Sequence, residues 1–305
     1  MEVKLHIFIR SMEMAGGKER AVANISNRLG GDYAVAIVTL DGSLGSFYEI
    51  STNVHRTQFN CLRFLGKAKN ITNVFTFFAD VKRLASWIKK EKPDLLIGTD
   101  FLLNFMLLLA KCLVLLKTKV IAWEHMAFED PMLMKRPFLL KLRNFFYRFL
   151  DGIVVLTTHD MELCERKGLN STYIPNARSF KVTQKTDPLQ QRILTIARLS
   201  PQKGLDLYIQ VIQKLKNKIG NWKFILVINE DTIPLQTLES MITDAALSPF
   251  VTIKPAKADV LSYYKDASIY LMTSRYEGLP MVLIEAQECG LVCVSFNCKT
   301  GPSSI

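Results

Sequence analysis

Residues 193–228 read ILTIARLSPQKGLDLYIQVIQKLKNKIGNWKFILVI, and this stretch decides the fold. Ile193–Ala197 is a short apolar run with the length and composition of a buried strand. Leu205–Ile219 repeats apolar residues at helical spacing, and Lys223–Ile228 returns to strand. A strand, a helix and a further strand make a parallel crossover unit. Toward the C-terminus the alternation continues, with helices over Thr237–Ala246, Val260–Lys265 and Pro280–Cys289. Strands fall over Phe250–Ile253, Ser268–Met272 and Val292–Ser295. Toward the N-terminus it pauses from Ile174 to Gln191, where Pro175, Asn176 and Pro188 stand among polar residues. Before the pause, strands are expected over Val3–Ile9, Ala34–Leu40, Asp94–Gly98, Val120–Trp123 and Gly152–Leu156. The helices between them are Arg20–Leu29, Val74–Lys90, Phe101–Leu116 and Pro137–Leu150. The expectation is an α/β protein of two doubly wound domains facing a cleft. The first covers residues 1–176, a linker 177–190, and the second 191–305.

A chain of 305 residues suits two domains of ~150 each. Hydrophobic residues at 49% and charged residues at 22% exclude a disordered or collagen-like chain. The 39 Lys and Arg against 28 Asp and Glu leave a charge of +11, which calls for an anionic partner. Nucleic acid, phospholipid headgroups and a nucleotide or sugar phosphate are the candidates. No helix-turn-helix, zinc-finger or stacking-sheet signature supports nucleic acid. The N-terminus lacks the uninterrupted apolar core of a signal peptide, and Phe101–Leu116 is shorter than the ~20 residues of a membrane span. A cytoplasmic protein, peripheral at most on the inner face of the membrane, is expected. Cys289, Cys293 and Cys298 cluster, but their spacing and the lack of a nearby histidine favour small buried residues over zinc ligands.

Four segments carry chemistry. The first is Thr273-Ser-Arg-Tyr-Glu-Gly-Leu-Pro-Met-Val-Leu-Ile-Glu285, a strand end that opens a helix. Gly278 lets backbone approach a ligand, Pro280 suits a first helical turn, and the free amides there attract an anion. Glu277 precedes the helix, and Glu285 stands inside it among apolar residues, where a carboxylate needs hydrogen-bond donors. Sugar hydroxyls would serve; an N-cap and a salt bridge would serve equally. In Ile196-Ala-Arg-Leu-Ser-Pro-Gln-Lys-Gly204, Arg198 and Lys203 follow a strand and could clamp a diphosphate, or be surface cations. Gly16-Gly-Lys-Glu-Arg20 is a glycine-rich turn into a helix, and Trp123-Glu-His125 ends a strand, with His125 either in the core or at a site.

Together these segments resemble the family-4 glycosyltransferases, retaining enzymes of the two-domain, Rossmann-like GT-B fold. The Glu277-to-Glu285 motif, with Gly278-Leu279-Pro280 inside it, is the most specific part. The resemblance implies that Gly16 and Gly17 approach the donor phosphate and acceptor, and that His125 sits beside the transferred sugar. Arg198 and Lys203 would neutralise the diphosphate. Glu277 would hold sugar hydroxyls, Gly278, Leu279 and Pro280 would shape the sugar and phosphate site, and Glu285 would bind the ribose. Glu277 and His125 are the catalytic candidates. Cys298-Lys-Thr-Gly-Pro302 is similar to family members that build bacterial surface polysaccharide. The implied reaction moves a hexose from a nucleotide sugar, UDP-linked, to a saccharide or lipid-linked acceptor. No Asp-x-Asp pair occurs, so no metal and no cofactor beyond the nucleotide sugar are indicated.

The chain departs from the family pattern at Ala177, where glycine usually follows the asparagine, and at Ile228-Asn-Glu-Asp-Thr-Ile, where Gly-x-Gly is usual. It ends at Ile305, which reads as a donor domain lacking its final strand and helices. A non-catalytic nucleotide-sugar or partner-binding protein is therefore one alternative, and a sugar-nucleotide epimerase another. The acceptor side rests on Met132–Leu150, which carries Lys135, Arg136, Lys141, Arg143 and Arg148 but no acid, interleaved with Phe138, Leu139, Leu142, Phe145, Phe146 and Phe149. Such a helix suits an anionic membrane surface or the solvated face of a crossover helix.

Overall fold

The computed structural model describes residues 2–61, 72–114, 117–183, 185–229, 232–298 and 300–305. The end of the expected 101–116 helix, Glu230 and Asp231, and Lys299 lie outside the described residues. The chain divides into two compact units, one of Met1–Met14 with Lys18–Ala177 and one of Ala15–Gly17 with Arg178–Ile305.

The first unit is a parallel sheet of seven strands: β1 (Lys4–Ile9), β2 (Ala34–Thr39), β3 (His55–Gln58), β4 (Leu95–Gly98), β5 (Lys119–Trp123), β6 (Gly152–Val155) and β7 (Ser171–Tyr173). Their order is β3-β2-β1-β4-β5-β6-β7. The direction of winding reverses between β1 and β4, so the carboxyl ends of those two strands mark the place where such sheets take ligands. The helices are α1 (Gly17–Leu29), α2 (Thr72–Glu91), α3 (Phe101–Val114), α4 (Pro131–Met134), α5 (Pro137–Tyr147) and α6 (Thr158–Arg166). The central strands are near-continuous apolar runs because both faces are covered: Ile7, Phe8 and Ile9 are fully buried.

Several elements differ from the sequence expectation. β3 (His-Arg-Thr-Gln) and β7 (Ser-Thr-Tyr) are edge strands with little to bury, so no apolar run announces them. Helix α6, Thr-His-Asp-Met-Glu-Leu-Cys-Glu-Arg, is dominated by polar residues and begins at a Thr157 cap whose side chain accepts from the Asp160 amide. The expected single helix over Pro137–Leu150 ends at Tyr147, and Lys135 and Arg136 stand outside it, between α4 and Pro137 at the start of α5. Proline at that position starts a helix and does not continue one.

The second unit holds five parallel strands in the order β10-β9-β8-β11-β12: β8 (Arg192–Arg198), β9 (Lys223–Asn229), β10 (Val251–Pro255), β11 (Ile269–Met272) and β12 (Val292–Ser295). Its helices are α7 (Leu205–Leu215), α8 (Leu235–Asp244), α9 (Leu261–Lys265) and α10 (Met281–Cys289). Here the winding reverses between β8 and β11. Arg178–Gln190, expected as a linker, folds onto this unit. The Phe180 ring lies 6.2 Å from that of Tyr264, the Thr186 amide donates to Cys289 O at 3.0 Å, and Lys185 Nζ donates to Glu288 O at 2.8 Å.

All six cysteines are free. Cys61, Cys164, Cys289 and Cys298 are buried, Cys293 is half-buried and Cys112 is exposed. Among the described residues, no helix is long and apolar enough to cross a membrane.

Candidate functional site

In the second unit the carboxyl ends of β8 and β11 bring two of the sequence segments together. Arg198 is the last residue of β8, and the turn that follows ends in Lys203. Lys203 Nζ donates to Glu277 Oε1 at 2.7 Å, and both side chains are largely buried. Backbone bonds hold the two turns in register. The Arg275 amide donates to Gln202 O at 2.8 Å, and Gln202 Nε2 donates to Tyr276 O at 3.0 Å. Gly204 makes the approach possible: its φ is +61°, and a Cβ there would stand 2.2 Å from Thr273 O. Only glycine fits both conditions.

Past Glu277 the chain is buried through Gly278, Leu279 and Pro280, and Pro280 leads directly into α10. Thr300 Oγ1 donates to Glu277 O at 2.5 Å, and Gly301, at φ +89°, brings its Cα against Gly278 O where a Cβ would be 2.5 Å away. The segment after β12 therefore clamps the Glu277–Gly278 peptide. Glu285 is 2% exposed. Tyr264 Oη donates to its Oε2 at 2.8 Å, and Ser179 Oγ donates to its Oε1. Protein hydroxyls thus supply donors that the apolar helix lacks, and neither Tyr264 nor Ser179 was singled out from the sequence. Both lie far from Glu285 along the chain, so no local pattern signals them.

Gly16 and Gly17 lie between β1 and the body of α1, with Lys18 one residue further. Lys18 Nζ lies 3.9 Å from Asp100 Oδ2, just past the end of β4. His125 follows β5. Its ring stacks at a tilt 4.3 Å from Trp123, and its Nε2 is buried without a protein partner. Burial, with Lys18 adding repulsion, pushes its pKa down to about 3, so the ring is neutral at physiological pH.

Glu124, beside it, is buried and accepts a hydrogen bond from Tyr147 Oη. Asn104 Nδ2 donates to Tyr147 Oη at 2.9 Å. Desolvation raises the Glu124 pKa above the ordinary carboxylate value.

Comparison with known proteins shows the family. Residues 15–178 match Glycosyltransferase Family 4, and residues 178–305 match the glycosyl transferases group 1 family. An uncharacterized glycosyltransferase of Haemophilus influenzae is 30% identical over 302 residues, 98% of this chain and 82% of the relative. The chain is a family-4 glycosyltransferase.

The amylovoran biosynthesis glycosyltransferase AmsD of Erwinia amylovora is 28% identical over 314 residues, covering 99% of this glycosyltransferase and 83% of AmsD. Among solved structures, a variant of S. aureus TarM in complex with fondaparinux, alpha-GlcNAc-glycerol and UDP superposes with a TM-score of 0.77 at 13% identity. It covers 99% of this chain and 87% of TarM. The glycosyltransferase therefore has the GT-B fold, two Rossmann-like domains with parallel sheets.

One expected surface residue of the glycosyltransferase is not at the surface. Arg143 was placed with the cations of a membrane-facing helix; it is 2% exposed. Its NH1 donates to Phe128 O at 2.7 Å, and its guanidinium lies 3.8 Å over the Phe128 ring. It faces Glu124 and Asp160, whose carboxylates its charge stabilises. Lys135, Arg136, Lys141 and Arg148 are exposed, as are Phe138, Phe145 and Phe149.

Proposed function

We propose that this glycosyltransferase moves a hexose from a UDP-sugar to a saccharide or lipid-linked acceptor, with retention of configuration, in the synthesis of cell-surface polysaccharide. The buried Lys203–Glu277 pair at the switch point of the second sheet, with Arg198 at the end of β8, carries the reading. A diphosphate needs cations that stay in place while charge builds on the leaving group, and preorganised cations do this without reorganising. Arg198 offers a planar fork and Lys203 a point charge. Removing one such donor costs roughly 3 kcal/mol of transition-state stabilisation, by analogy with oxyanion-hole deletions. Neutralising the diphosphate falls to these side chains and to the amides following Glu277.

Glu277, oriented by Lys203, accepts from sugar hydroxyls, and Glu285, held by Tyr264 and Ser179, accepts from the ribose. Gly16 and Gly17 leave backbone open to the phosphate. The neutral His125 ring, with Nε2 unpaired by protein, hydrogen-bonds the transferred sugar. AmsD, named for amylovoran biosynthesis, and the UDP and GlcNAc-glycerol bound to TarM support the donor and pathway class. Lys135, Arg136, Lys141 and Arg148, with Phe138, Phe145 and Phe149 exposed among them, support docking on an anionic membrane that carries the acceptor.

The test is direct. A panel of UDP- and GDP-sugars is titrated against thermal unfolding, and the protecting donor is then incubated with lipid-linked acceptors. A ligand at 100 times its Kd stabilises by about 2.7 kcal/mol, a readable shift. Transfer that Glu277→Ala abolishes supports the proposal. Donor binding without transfer, or isomerisation of the donor with no acceptor present, overturns it in favour of a binding protein or an epimerase.

A further inference from the structure

Five phenylalanines of the first unit stand in solvent: Phe75 and Phe78 on α2, and Phe138, Phe145 and Phe149 along α5 and the turn that ends it. Phe75 is 72% exposed and Phe138 74%. Phe75 and Phe78 are three residues apart and share one face of α2. On α5, spacings of seven and four put Phe138, Phe145 and Phe149 on one stripe, and the Phe149 amide still donates to Phe146 O at 3.0 Å.

A row of rings joins the two groups across α3. Phe78 lies 5.5 Å from Phe77, Phe77 stacks on Phe105 at 5.7 Å, and Phe105 meets Phe146 at 4.4 Å. Phe146 lies 5.4 Å from Phe145, which is 5.3 Å from Phe149. Phe77 is buried and Phe105 and Phe146 are half-buried, so the row floors a single surface with exposed rings at its α2 and α5 edges. Single apolar residues are ordinary on a protein surface, whereas a connected aromatic patch marks a place of contact.

The charge around this patch has one sign. Lys82 continues the Phe75 stripe of α2 seven residues on, and Lys141 and Arg148 flank the α5 stripe; all three are exposed. The helices α2, α3 and α5 hold two acids between them, and neither is exposed: Asp80 is buried and paired with Arg83, and Glu91 is half-buried at the end of α2. A second copy of the chain is a poor occupant, because a two-fold interface sets the same patch against itself and brings cation to cation. An anionic bilayer meets both demands, with headgroups for the cations and an apolar boundary for the rings.

We infer that α2 and α5 form one lipid-facing plate on the first unit, whose exposed phenylalanines enter the apolar boundary of an anionic bilayer. The inference rests on the membrane docking proposed above for α5, and widens it to α2 and from headgroup contact to ring insertion. Phe75 and Phe78 then contribute apolar burial that salt does not screen, while Lys82, Lys141 and Arg148 contribute the part that it does.

The experiment floats the full chain with vesicles of phosphatidylethanolamine and phosphatidylglycerol. The parent should bind, and Phe75→Ser combined with Phe78→Ser should lower that binding by about tenfold or more. Raising the salt from about 0.1 M to about 1 M shortens the screening length from about 10 Å to about 3 Å, so parent binding should weaken yet persist. In a Phe78→Trp variant, lipids brominated along the acyl chain should quench more tryptophan emission than in the parent measured beside it. All three positions substituted are exposed or on the exposed face, and a thermal melt checks that each variant is folded. Undiminished binding of the α2 double variant, with Lys141→Ala and Arg148→Ala still weakening it, overturns the inference and leaves docking by α5 standing. A parent that does not bind these vesicles overturns both. Complete loss of parent binding at the higher salt, no added quenching at position 78, or a dimer that the α2 double variant dissolves also overturns it.

Discussion

Lys203 Nζ stands 2.7 Å from Glu277 Oε1, with 16% and 7% of the two side chains exposed. The residues are 74 apart in sequence and meet because their turns follow adjacent parallel strands. Lys203→Met leaves a buried carboxylate without its cation, which typically costs about 3–5 kcal/mol. The double variant with Glu277→Gln should recover part of that loss. Chemical denaturation measures both; strictly additive effects would show that the pair is not coupled.

Glu285 depends on hydroxyls outside its own helix. Tyr264→Phe removes the 2.8 Å bond and keeps the ring, so about 1 kcal/mol of stability should go. If Glu285 binds the ribose, the same variant should also weaken UDP-sugar binding, read as a smaller thermal shift at fixed ligand. Lost stability with unchanged donor affinity would assign Glu285 to structure alone.

Arg143 and its basic neighbours should separate cleanly. Arg143→Met loses the bond to Phe128 O and leaves the buried Glu124 and Asp160 without their cation, an expected cost of about 3 kcal/mol or more. Lys141→Ala and Arg148→Ala, at exposed positions, should stay within about 0.5 kcal/mol in the same unfolding assay. Each should weaken binding to anionic vesicles by about 1 kcal/mol. Vesicle binding that ignores both exposed substitutions would overturn the membrane role proposed for this surface.

Gly204→Ala is expected to be severe. The residue holds φ +61°, and the added Cβ would meet Thr273 O at 2.2 Å, so the β8 turn must move away from β11. A loss above about 3 kcal/mol, or failure to accumulate folded protein, should follow. Gly31→Ala, with nothing within 4 Å of its added carbon, is the matched control and should melt near the parent temperature.

Two histidines set an acid limit. Burial lowers His6 to about 4 and His125 to about 3, so between those values and 6.5 the unfolded chain binds protons that the native chain refuses. Their contribution is fully present above pH 6.5 and is lost as the pH falls. His6, near Glu91, Lys4 and His55 and 7% exposed, should alone account for about 2 kcal/mol at pH 5. Glu124 acts in the opposite sense: its raised pKa gives stability at low pH that is lost as pH rises. Melting temperatures at pH 7 and pH 5 test this. His6→Leu should flatten the difference; an unchanged slope would place the acid sensitivity elsewhere.

The strand–helix alternation around residues 193–228 is legible because a parallel sheet covered on both faces demands continuous apolar runs. By the same reasoning β3 and β7 are silent: as edge strands they bury little, and their pairing with β2 and β6 shows only once those partners are in place. Helix α6 is silent for the same reason, being polar and started by a cap.

At the site, the residue types and their positions at strand ends can be read from the sequence. Which of them meet cannot, since Lys203 and Glu277, or Glu285 and Tyr264, are joined by topology and not by spacing. Lys141 and Arg143 look alike in a basic stretch, yet two residues of helix turn one toward water and the other onto the Phe128 ring. By itself, then, the sequence determined that two wound sheets would form and which side chains stand at their carboxyl ends, because periodicity and turn residues are local properties of the chain. Only the tertiary structure decided which cations are paired, buried or exposed to solvent, because burial and charge pairing depend on neighbours that the chain brings together from far apart.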